Sequence, residues 1–199
     1  MSGSQIESHV LAIKRSILFS DGDFQGFQHS NRVDYNKRIL EYHEFILREK
    51  AEQDETYKQP ICYAVIVQNG KVLVYQRPQK ANEKRLVSKW SIGIGGHIHP
   101  FDGKNPLEES MKREVLEEIG IQTFSSTLLG FVNDDSDAVG RVHIGVIYLI
   151  ISNETVQPQP ALSNASFLAP SELTTFSETH DFEGWSKLIL PHIIVTLNK

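Results

Sequence analysis

The sequence predicts an α/β fold, a sandwich of helices on a mixed sheet, and three observations carry that prediction. Asn69-Gly70 marks a tight hairpin between two apolar runs, residues 106–119 form one well-delimited amphipathic helix, and further strand-like runs follow that helix. Strands interleaved with helices give a layered α/β core, and 199 residues are enough to close one. A second independent enzyme domain is not expected.

Composition narrows the class. Charged residues are 23% and hydrophobic residues 40%, values of an ordinary globular chain that exclude wholesale disorder. The longest wholly apolar stretch, Ile144 to Ile151, is far short of the roughly 20 residues that span a bilayer, and no apolar signal core opens the chain. Neither membrane insertion nor secretion is expected. A net charge of −5, from 20 basic and 25 acidic residues, sets up no field that would favour a nucleic acid polymer, so phosphate binding must be local or metal-assisted. The single cysteine, Cys62, cannot form an internal disulfide, which suits a reducing cytoplasm. Its place in the apolar run 61–67 makes it a buried core thiol.

In chain order, the charged stretch Arg48 to Gln59 sets a boundary near residue 58, dividing an N-terminal extension (1–58) from a main domain (59–199). The extension holds a short strand at His9 to Ile13 and a helix over Tyr35 to Leu47, where Ile39, Tyr42, Ile46 and Leu47 recur at helical spacing. Its aromatics, Phe24, Phe27, Tyr35 and Tyr42, suit packing against the domain, or else stacking on a nucleoside base. The main domain opens with the hairpin, Ile61 to Gln68 and Lys71 to Gln76. A basic loop follows (Lys80, Lys84, Arg85, Lys89), then a strand at Trp90 to Ile94 and the glycine-rich G-I-G-G-H-I-H-P of Gly93 to Pro100. Strands at Thr127 to Val132 and Arg141 to Ile151 and a closing apolar helix from Trp185 to Leu197 complete the reading.

The helix between them carries the chemistry. Asn105 is a good N-cap, Pro106 needs no amide donor in the first turn, Glu108 stands where a capping-box acid belongs, and Gly120 stops the helix. Leu107, Met111, Val115 and Ile119 form the buried stripe, while Glu114, Glu117 and Glu118, at i, i+3 and i+4, converge on an adjoining face. These carboxylates lie toward the helix C-terminus, where the dipole disfavours each by about 0.3–1 kcal/mol. A hard divalent cation such as Mg²⁺ would relieve the repulsion; a solvated acidic face is the plainer alternative. His97 and His99 alternate, so in an extended segment both could face a cation or a substrate, although two histidines do not make a zinc site. Arg77, with Lys84 and Arg85, could receive phosphate oxygens. His143 falls inside a strand and is expected to pack there.

Arg113-Glu114-Val115-Leu116-Glu117-Glu118-Ile119-Gly120-Ile121 resembles, position for position, the R-E-U-x-E-E-x-G-U second half of the Nudix box, where U is a bulky aliphatic residue. Gly95-Gly96-His97 resembles the glycine pair that opens the box. Gly96 and Arg113 enclose residues 97 to 112, three more than the family's G-x5-E-x7-R-E spacing, so the first glutamate position falls on Asn105 and Asp102, Glu108 or Glu109 stands in for it.

The resemblance implies a Nudix-type α/β/α sandwich and metal-dependent hydrolysis of a phosphoanhydride bond in a small, nucleotide-derived diphosphate. It implies that Glu114, Glu117 and Glu118, with the Gly96 carbonyl, hold Mg²⁺ or Mn²⁺, and that Arg113 orients Glu114. Glu117 or Glu114 would accept the proton of the attacking water, unless the base comes from a later loop carrying Asp134, Asp135, Asp137, Glu178 or Glu183. Arg77, Arg85, His97 and His99 are the candidate substrate contacts. Homodimerisation, common among Nudix relatives, is carried as an expectation. Two rival functions share the fold: a ligand sensor without turnover, and an isopentenyl-diphosphate-isomerase-like enzyme, for which Cys62 is poorly placed.

Overall fold

The structure, a computed structural model, describes residues 8–77, 88–157 and 162–198. Its elements run β1 (His9–Lys14), α1 (Arg15–Leu18), β2 (Gly26–His29), α2 (Tyr35–Tyr42), β3 (Glu44–Leu47), α3 (Arg48–Ala51), β4 (Tyr57–Gln68), β5 (Lys71–Gln76), β6 (Trp90–Ser91), β7 (Gly93–His97), α4 (Pro106–Ile119), β8 (Ser125–Asn133), α5 (Ala138–Val142), β9 (His143–Ile151), β10 (Ser163–Leu168), α6 (Pro170–Thr179) and α7 (Gly184–Leu197). The expected α/β class holds. The main sheet has the order β10-β5-β4-β9-β8-β2, and β1, β3, β6 and β7 attach to it through β4 and β5.

The chain divides into two compact units: Met1–Tyr63, Gly95–Arg113 and Leu128–Ile147 in the first, and Ala64–Ile94, Glu114–Thr127 and Tyr148–Lys199 in the second. In the first, β1 pairs antiparallel with β3 (Val10↔Ile46) and with β4 (Ile13↔Lys58), and the Leu11 amide donates to the Ile98 carbonyl at 2.8 Å. Phe19, Phe24, Tyr35 and Phe131 form an aromatic cluster in which Phe24 and Tyr35 are tilted at 32° and the other pairs meet edge to face, with Tyr35 to Phe131 centroids 5.3 Å apart. Phe24 and Tyr35 are thus packed, while Tyr42 is exposed.

Two elements of this unit depart from the expectation. The helix over Tyr35 to Leu47 ends at Tyr42, because the His43 backbone is extended and its ring bonds the terminal Ile39 and Leu40 carbonyls at 3.0 and 3.1 Å. Glu44 to Leu47 instead joins the sheet as β3, where pairing with β1 overrides the helical spacing. The strand expected from Arg141 begins at His143, because Asp137 caps the short helix α5 by accepting from the Gly140 amide at 2.7 Å.

In the second unit, Asn69 (φ 50°) and Gly70 (φ 72°) make the expected turn, with Val67 opposite Val72. β10 adds to β5 antiparallel. The Glu183 carboxylate caps α7 by accepting from the Trp185 and Ser186 amides at 3.0 and 2.9 Å. Strands β2, β3 and β10 and the helix α6 carried no clear sequence signal, being short or only half apolar. Among the described residues, no helix is long and apolar enough to cross a membrane.

Candidate functional site

Helix α4 spans the residues predicted for it, and Leu107, Met111, Val115 and Ile119 are all fully buried. With that stripe fixed inward, the 100° step per residue places Glu114, Glu117 and Glu118 on the adjoining face. Glu114 and Glu118 are half-buried and Glu117 is exposed. Burial raises the Glu118 carboxyl above its usual range; the positive charge of Arg77 pulls it back, and the charge of Glu117 adds to the rise. No basic residue in the last turn of α4 offsets these acids. Gly120, at φ 72°, ends the helix and donates its amide to the Leu116 carbonyl at 2.9 Å.

Arg77 lies at the end of β5, its backbone paired with Ser88 and Lys89 and its guanidinium 5.9 Å from the Tyr75 ring centroid. Arg85, with Lys80 and Lys84, lies outside the described residues.

The opening of the box is set by backbone contact. A Cβ on Gly95 would stand 1.7 Å from the Cys62 carbonyl oxygen, so β7 can lie this close to β4 only with glycine there. Cys62 itself is buried, its thiol donating to the Leu107 carbonyl at 3.0 Å. Gly96 is half-buried on the same strand. The additional residues after His97 form a turn in which the Asp102 amide donates to the His99 carbonyl at 3.0 Å and Gly103 takes φ 79°. This turn buries Asp102 against Arg113. The Arg113 Nε donates to Oδ1 at 2.8 Å, and Oδ2 accepts from the His99 amide at 2.7 Å and from Arg113 at 3.2 Å. Arg113 also donates to the His97 carbonyl at 3.0 Å. Of the three acids that could take the missing glutamate's place, Asp102 is therefore the one paired with the arginine, whereas Glu108 and Glu109 pair with Lys112.

The two alternating histidines part company. His99 donates from Nδ1 to the His9 carbonyl at 3.0 Å and stacks on Phe101. His97 turns inward, its Nε2 3.3 Å from His143 Nε2 and 3.6 Å from Glu52 Oε1. Burial, with help from the charges of Arg48, His143 and His99, lowers the His97 pKa to about 2, so its ring is neutral. The sequence singled out no role for Glu52 and expected His143 only to pack in its strand, because residues 52, 97 and 143 share no local pattern; only folding joins them.

Three of the later acids already have structural work. Asp135 is bound by Arg15 and by the fully buried Lys58, Asp137 caps α5, and Glu183 caps α7.

Comparison with known proteins bears on the family and the fold. Residues 58–192 match the NUDIX domain model. The chain is 31% identical over 200 residues to the protein YmaB of Bacillus subtilis (strain 168), covering 94% of this chain and 97% of that one. Among solved structures it is similar to Tm1382, with a TM-score of 0.78 and 31% identity over 96% of this chain and 98% of that one. The NUDIX domain of Shewanella oneidensis NrtR, solved with ADP ribose, shares the fold at a TM-score of 0.52 and 18% identity, over 71% of this chain and 86% of that one. On a domain match that covers more than half of the chain and a relative aligned over almost all of it, the chain belongs to the Nudix family.

Proposed function

We propose that the protein is a divalent-metal-dependent hydrolase, acting on a phosphoanhydride bond in a small, nucleotide-derived diphosphate. The observation that supports this most is the acidic face of α4. Three carboxylates share it, and burial, with its neighbour's charge, pushes one toward protonation against the pull of Arg77, while no basic residue stands in the last turn of the helix. A face under that strain fits Mg²⁺ or Mn²⁺, held by the oxygens of Glu114, Glu117 and Glu118. When bound, such an ion neutralises charge building on the phosphate oxygens and lowers the pKa of the attacking water.

The chain's own residues do the rest. Glu117, the exposed member, accepts the proton of the water. Arg77, whose charge already reaches Glu118, engages the phosphate oxygens of the substrate. Arg113 acts as a positioning residue, pinning the box opening to the helix through Asp102 and the His97 carbonyl.

The test is a substrate panel with Mg²⁺ or Mn²⁺: nucleoside triphosphates, dinucleoside polyphosphates, nucleotide sugars, coenzyme A and ADP-ribose, the last prompted by the NrtR complex. We expect phosphate-bond cleavage of at least one compound and a loss of about 100-fold or more in kcat for Glu117→Gln. If Glu114→Gln and Glu117→Gln both leave turnover and metal affinity unchanged, the reading is wrong. Tight binding with no turnover would make the protein a sensor instead.

A further inference from the structure

We propose that Glu52, His97 and His143 form a second metal site, separate in its ligands from the acidic helix, that takes one divalent transition-metal ion of the zinc class. Their three donor atoms form a nearly regular triangle: His97 Nε2 to His143 Nε2 3.3 Å, His97 Nε2 to Glu52 Oε1 3.6 Å and His143 Nε2 to Glu52 Oε1 4.0 Å. The point equidistant from all three lies about 2.1 Å from each, the length of a zinc–imidazole or zinc–carboxylate bond.

Second contacts set two of the three ligands. His143 donates from Nδ1 to the Val139 carbonyl at 2.7 Å, which fixes the tautomer and leaves its Nε2 lone pair aimed at the triangle. That carbonyl belongs to α5. Glu52 is the C-cap residue of α3, and its Oε1 also takes the Arg48 Nε at 3.2 Å, which holds the carboxylate in place. The His143 side chain is 5% exposed and that of His97 14%, whereas Glu52 is 34% exposed and leaves a path from solvent. Two imidazoles and one carboxylate select zinc and its neighbours over Mg²⁺, which prefers oxygen alone. Three protein ligands leave the coordination open to water. A hydrogen bond between the two facing imidazoles competes with this arrangement, and it needs no carboxylate at the third corner.

The inference is independent of the hydrolase reading, and the experiment measures bound metal rather than turnover. Tag-free full-length protein is loaded with Zn²⁺, gel-filtered and assayed for metal, and a Co²⁺-loaded sample is read for visible d–d absorption. We expect about one zinc per chain, cobalt bands of low-symmetry coordination, and a thermal midpoint raised by zinc. His143→Gln and Glu52→Gln should each weaken zinc binding by about tenfold or more and abolish the cobalt bands. His143 is buried and its variant can fail to fold, so the half-exposed Glu52 carries the decision. Glu117→Gln should keep its zinc. Zinc that washes out of the wild type, that is held equally by Glu52→Gln, or that is lost in Glu117→Gln overturns the proposal. In each of those cases Mg²⁺-dependent turnover in the panel assay would still stand or fall separately.

Discussion

Asp102 receives three hydrogen bonds on one carboxylate while its side chain is only 2% exposed. A buried acid in that position is tolerated because the Arg113 fork matches it bidentately, and removing either partner strands the other. Asp102→Asn should therefore cost about 2–4 kcal/mol in urea unfolding. Under the positioning role proposed for it, Arg113→Lys, which keeps the charge but loses the fork, should lower kcat with little change in substrate KM. A variant as stable as wild type would show that the pair is ornamental. The sequence suggested Asp102 only as one of three substitutes for the missing glutamate. Choosing among them required knowing that the inserted turn, with Gly103 at φ 79°, folds Asp102 back on the helix while Glu108 and Glu109 stay with Lys112.

Among the elements, α4 was legible almost to the residue, because its cap, apolar period and glycine stop agree with one another and with the tertiary contacts. The segment from Tyr35 to Leu47 was not. Its spacing is helical throughout, yet its last four residues satisfy β1, and a histidine ring closes the helix by bonding its final carbonyls. β7 shows the opposite case, a strand whose composition is explained only by its neighbour. Gly95→Ala puts a methyl group into the Cys62 carbonyl, and neither backbone can yield without disturbing the sheet. We expect a loss of about 3 kcal/mol or insoluble protein, measured by chemical denaturation; a loss under about 0.5 kcal/mol would contradict the close approach.

For the whole molecule, stability toward acid should rest on Asp135. Burial pushes its carboxyl up, but hydrogen bonds and charge from Arg15 and Lys58 outweigh burial and hold it well below the usual carboxylate range. Lys58, fully buried, is pulled down by desolvation and supported by Asp135 and by the Gly140 and His143 carbonyls at 2.7 and 3.1 Å. A carboxylate whose folded pKa is depressed contributes stability that is complete above its unfolded value near 4 and is lost as pH falls through the folded one. Wild-type unfolding free energy should thus decline below about pH 4. Asp135→Asn should be less stable at pH 7 by about 3 kcal/mol and show a flatter acid limb, because Lys58 then lacks its counter-charge. Parallel pH profiles for the two proteins would refute this.

The arrangement proposed to hold the cation was local enough for the sequence to determine: the acidic trio, its arginine and the glycine stop lie within eight consecutive residues, and a helix turns such spacing directly into geometry. The partners of Arg113, Lys58 and His97 could not. Asp102, Asp135, Glu52 and His143 reach them across turns and strand pairings, and contacts of that range follow from how the chain closes on itself, which no local period encodes.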